Sequence, residues 1–71
     1  MSKQILLLKT SLVLQSDVEK AGVYLNSHPQ IAEWSVDTED CDKVLRIKCC
    51  ELTETDIAIL LRLAGYEAEK L

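Results

Sequence analysis

Apolar residues recur along this chain at two different periods. Between Lys3 and Lys9 the run Ile5-Leu6-Leu7-Leu8 is too short for a helix and is bounded by polar residues, which predicts a buried central strand. Ser16-Asp17-Val18-Glu19 then has the spacing of a capping box, with Asp17 and Glu19 well placed on a helix dipole. Val18, Ala21 and Leu25 follow at helical spacing, and His28-Pro29 ends the segment because proline disfavours the α region for the residue before it. A first helix is therefore expected over residues 16–27. From Gln30 to Asp37, Ala32, Trp34 and Val36 alternate with Glu33 and Ser35, and from Val44 to Cys50 the residues Leu45, Ile47 and Cys49 share one face. The polar stretch Asp37 to Lys43 between them predicts a hairpin. Thr53-Glu54-Thr55-Asp56 is a second capping signal, followed by Ile57, Leu60, Leu61 and Ala64 on one stripe and Gly65 in the C-terminal capping position. Tyr66 to Lys70, with Tyr66 and Ala68 on the inward parity, predicts a short closing strand.

The resulting order is βαββαβ, a split βαβ arrangement. It implies an α+β, ferredoxin-like sandwich in which a four-stranded antiparallel sheet carries both helices on one face. Leu6, Leu8, Trp34, Val36, Leu45, Ile47 and Cys49 are expected to face the helices. Val18, Ala21, Leu25, Ile57, Leu60, Leu61, Ala64 and Tyr66 complete the expected core. With 71 residues there is room for one such core, so residues 1–71 are expected to be a single domain. A chain of this size buries roughly 60% of its unfolded surface, which argues against a deep substrate pocket.

Eight Lys and Arg against twelve Asp and Glu give a net charge of −4, which repels a phosphate backbone and an anionic membrane surface. Neither nucleic acid nor membrane is an expected partner. The apolar run Ile5 to Leu8 is far short of a signal-peptide core or a membrane span, so the expected location is cytoplasmic. Cys41, Cys49 and Cys50 are odd in number and two are adjacent, unlike the spaced even set of a secreted disulfide framework. Reduced thiols are expected.

Several short elements, taken together, resemble the heavy-metal-associated domains of copper chaperones. They are Leu8-Lys9-Thr10-Ser11-Leu12, Tyr24-Leu25-Asn26, Ile31 with Trp34-Ser35-Val36-Asp37, Leu45-Arg46-Ile47 and the ending Ala64-Gly65-Tyr66-Glu67-Ala68-Glu69. The resemblance covers nearly the whole chain and implies the same βαββαβ fold. It also implies that any metal site lies in the loop from the first strand to the first helix. There the family carries Cys-x-x-Cys, whose thiolates match the softness of Cu(I). Aligned on the Thr10 and Leu12 flank, the two cysteine positions fall on Leu14 and Asp17. An aliphatic side chain and a lone carboxylate do not replace a thiolate pair, and the single methionine is Met1, so no metal is expected in this loop.

The remaining cysteines offer little substitute. Eight residues of strand separate Cys41 from Cys49, roughly 25 Å, and adjacent Cys49 and Cys50 point to opposite faces. Cys41 is the exception, since the topology puts it at the pole of the degenerate loop. A divergent chaperone holding Cu(I) or Zn(II) through Cys41, or through cysteines shared between subunits, is the alternative expectation. Asp37, Glu39, Asp40 and Asp42 crowd one turn, but counting from Asp37 puts Asp42 and Lys48 where a calcium loop needs Gly and Glu. His28 has no nucleophile placed beside it, so no catalytic residue is expected.

Two other families share this strand order. An RNA-recognition module needs aromatics on the open sheet face, where Ile5, Leu7, Glu33, Ser35, Val44, Arg46, Lys48, Glu67 and Glu69 are expected. An acylphosphatase-like enzyme needs Arg and Gly in the first loop, and residues 11–17 contain neither. One feature of the second helix stands apart. With Ile57 at zero, Ile59 and Leu63 point to about 200° and 240°, an outward apolar pair at i and i+4. Ile59 and Leu63 are the expected contact for a protein partner or a second copy. The function expected is a non-catalytic interaction or adaptor module.

Overall fold

The computed structural model describes residues 3–71. The chain forms β1 (Gln4–Thr10), α1 (Gln15–Asn26), β2 (Ile31–Asp37), β3 (Val44–Cys49), α2 (Glu54–Leu63) and β4 (Ala68–Lys70). The strands make one sheet in the order β2-β3-β1-β4, and all three pairings are antiparallel. This is the ferredoxin-like arrangement that the βαββαβ order implied. β1 holds the inner position its apolar run called for. Leu6 lies opposite Ile47 and Leu8 opposite Leu45, all four directed into the core.

Leu8, Leu25, Leu45, Ile47, Ile57 and Leu61 are fully buried between sheet and helices, with Ala21 and Cys49 beside them. Two further core residues, Leu12 and Leu52, lie in connections where no period marks them, and both are buried. Val18, Trp34, Val36, Leu60, Tyr66 and Ala68 are partly buried around this cluster. Ala64 is half-buried and stands outside it. Gly22 is what allows α1 to approach the edge strand β2. A Cβ there would come within 2.9 Å of the Trp34 ring, whose Nε1–H donates to Asn26 Oδ1 at 2.8 Å.

Several boundaries depart from the sequence expectation. α1 begins at Gln15 rather than Ser16, and Leu14 takes the N-cap position. The Ser16–Glu19 box is therefore out of phase with the helix start, and Asp17, at the third helical position, accepts the Leu14 backbone N–H at 2.9 Å instead. In β2, which starts at Ile31, the register shifts between Ile31 and Glu33. That bulge turns Ala32 out to solvent and Ile31 toward the core. β3 ends at Cys49, and Cys50 falls in the bend after it. β4 is three residues long and does not include Tyr66. The reason is the end of α2, where Gly65 at φ 96 donates to Arg62 O and the Tyr66 N–H to Leu61 O. This Schellman pair keeps Tyr66 and Glu67 in the turn before the strand begins. The start of α2 follows expectation. Thr53 Oγ1 accepts from Asp56 N, and the Thr53 N–H donates to Asp56 Oδ2.

Candidate functional site

Three connections meet at one end of the sheet. Thr10, the last residue of β1, donates its N–H to Asp42 O at 3.1 Å and its hydroxyl to Lys43 O at 2.6 Å, tying the β2–β3 hairpin to the first loop. Lys9 and Asp42 form an ion pair of 3.7 Å across the same junction. On the other side, Ser11 N–H donates to Glu67 O and Glu67 N–H donates to Ser11 Oγ, both at 3.0 Å, joining the loop to the α2–β4 turn. Leu12, which follows, is fully buried and anchors the loop from below.

Leu14 and Asp17 sit where α1 starts. Leu14 is 61% exposed and brings no donor atom except its backbone. The Asp17 carboxylate is engaged on both oxygens: Oδ2 accepts the Leu14 N–H, and Oδ1 accepts the Tyr66 hydroxyl at 2.9 Å. The Leu14 N–H, with the Tyr66 hydroxyl second, holds the Asp17 carboxyl below its ordinary range. Desolvation, followed by the hydrogen bond to Asp17 and then the Asp17 charge, pushes the Tyr66 phenol up. These groups clasp the start of α1 to the turn after α2 with protein atoms alone. Sequence reasoning placed Tyr66 in the core and did not pair it with Asp17. The signal available was chemical, because a partly buried tyrosine needs a partner for its hydroxyl. Neither Leu14 nor the occupied Asp17 suits a soft ion such as Cu(I).

The hairpin brings Cys41, which is exposed, to this same end of the molecule. Its sulfur and one carboxylate oxygen each from Asp40 and Asp42 lie within 4.8 Å of one another. Both acids already serve the turn: Asp40 Oδ1 accepts the Asp42 N–H at 2.8 Å, and Asp42 pairs with Lys9. Cys49 and Cys50 close the far end of β3. Cys49 is buried, and desolvation raises its thiol pKa. Beside it Gln4 Nε2 donates to Leu52 O. Met1 lies outside the described residues. His28 Nδ1 accepts the Gln30 N–H at 3.2 Å and shapes the turn into β2.

Ile59 and Leu63 point outward from α2 and are 55% and 67% exposed. On the sheet face away from the helices, Ile5, Leu7, Ser35 and Arg46 are exposed, and Lys48 pairs with Glu33 at 3.2 Å.

No protein-family model matches the chain, and no curated protein matches it. Solved structures do. The Cu(I)-loaded first domain of the human copper chaperone for SOD1 superposes with a TM-score of 0.83 at 18% identity, covering 99% of this chain and 94% of that one. The yeast copper transporter domain Ccc2a gives 0.80 at 11% identity, covering 96% and 94%. A putative copper-ion-binding protein from Bacillus anthracis gives 0.80 at 13% identity, covering 96% and 97%. From its first strand to its last, the chain has the ferredoxin-like fold of these copper-binding, heavy-metal-associated domains.

Proposed function

We propose that residues 1–71 form one non-catalytic interaction domain of the cytoplasm, a heavy-metal-associated domain that keeps the docking geometry of copper-chaperone partners and has lost the grip on the ion. The observation that carries this reading is the Asp17 clasp. At the two positions that the family resemblance gives to thiolates stand an aliphatic side chain and a carboxylate already holding the Leu14 N–H and the Tyr66 hydroxyl. The exposed pair Ile59 and Leu63 supplies apolar contact area to a partner protein or a second copy, as small domains require.

Sedimentation of the reduced protein, alone and with candidate copper-handling domains, tests the reading. Association should be lost in Ile59→Glu/Leu63→Glu, and parent protein that stays monomeric and unbound throughout would remove the interaction function. A second reading, a chaperone for Cu(I) or Zn(II) using Cys41 alone or cysteines shared between subunits, is favoured by the proximity of Asp40, Cys41 and Asp42. Titration with either ion against a competing chelator separates the two. Tight binding that Cys41→Ser abolishes supports the second, and weak binding indifferent to that change supports the first.

A further inference from the structure

β4 is an edge of the sheet, and among the described residues no strand pairs with its outer side. The Leu71 N–H donates to Leu7 O and the Ser11 N–H to Glu67 O, so the odd-numbered residues around β4 turn their backbone groups toward β1. By the alternation of an antiparallel ladder, the N–H and C=O groups of Ala68 and Lys70 face outward. Behind this edge, between β4 and α2, lies a recess of about 250 Å³ lined by Ala58, Ile59, Arg62, Tyr66 and Ala68. The opposite edge is built differently. There β2 is bulged at Ala32, and the Trp34 ring fills the helix side against Gly22.

We propose that β4 accepts an extended segment of a partner protein as a fifth strand, one in which apolar residues alternate with basic ones. The proposal rests on the interaction function above and assigns it a second surface, which shares Ile59 with the first but not Leu63. Its backbone pairs with the outward groups of Ala68 and Lys70, and an apolar side chain enters the recess beside Ile59. The charge pattern selects the partner. Glu67 and Glu69 are exposed on either side of Ala68, and neither belongs to the two ion pairs found among the described residues. An added strand sets its own residues beside these two acids, where Lys or Arg is favoured. A second copy of this chain is the wrong occupant. Antiparallel self-pairing centred on Glu69 opposes that residue to itself, and pairing centred on Ala68 opposes Glu67 to Glu69. Like charges face each other in both registers.

The probe is a short synthetic peptide of alternating lysine and valine, added to the labelled full chain and followed by amide NMR. The Ala68 and Lys70 amide signals should shift and gain protection from exchange. Glu67→Lys/Glu69→Lys should weaken binding about tenfold, and a glutamate–valine peptide should leave the spectrum unchanged. The same lysine–valine peptide with alternate backbone nitrogens methylated keeps the charge and loses the ladder, so it should not protect these amides. Equal binding of the methylated peptide, or shifts confined to Asp37, Glu39, Asp40 and Asp42, would overturn the proposal in favour of diffuse charge attraction. The Leu63→Glu single variant keeps the two surfaces distinct. Peptide binding should survive it, so that failure at the edge does not count against association through the helix, nor the reverse.

Discussion

Asp17 carries two demands that a local sequence window does not reveal together. As the third helical residue it caps the Leu14 N–H, and as the partner of Tyr66 it reaches a residue 49 positions away. Both hydrogen bonds favour the ionised carboxylate, so its native pKa lies below the ordinary value of 3.8. Linkage then fixes the sign. The stabilisation is complete above the unfolded-state pKa and is lost as pH falls through the lower native one. Asp17→Asn should therefore be less stable than the parent at neutral pH, with the difference shrinking in acid. Urea unfolding of both proteins at pH 7 and near pH 2 checks this, and a gap that stays constant would mean the charge is irrelevant to the clasp. Tyr66→Phe should bring the Asp17 pKa back up, which carboxyl NMR titration reads directly.

The helices and strands differ in how much of their extent is written locally. α2 is capped at both ends by its own sequence: Thr53 with Asp56 at the start, Gly65 with the Schellman pair at the finish. Thr53→Ala leaves the Asp56 N–H without its side-chain partner and should cost about 1 kcal/mol, measured as a lower urea midpoint with unchanged slope. α1 lacks a capping side chain at Leu14, so the local signal at Ser16 points to a start one residue later than the observed Gln15. The strands show the same division. The short apolar run of β1 was legible because it is too short for a helix, and the period-two pattern of β3 because one of its faces is buried. The bulge at Ala32 and the late start of β4 were not, since pairing with β3 and closure of the α2 turn determine them.

Taken whole, the molecule is a ferredoxin-like scaffold with one pole held by a carboxylate and a phenol. Leu14→Cys/Asp17→Cys should place a thiolate pair at the start of α1, where a helix N-terminus lowers thiol pKa. The double variant should bind Cu(I) stoichiometrically in competition with a chelator, and the parent should not. Equal affinity in the two proteins would place the ion elsewhere on the chain. The outward exposure of Ile59 and Leu63 was legible from helical spacing. The meeting of Asp17 with Tyr66, and the recess between α2 and β4, were not. Sequence by itself determined the order of elements, the stripe each one buries and the caps of α2, because these depend on residues within a few positions of one another. Only the tertiary structure decided that Leu12 and Leu52 are core, which hydroxyl meets which carboxylate, and which strand is left with an open edge. Those outcomes depend on residues brought together across the fold, where no local period records them.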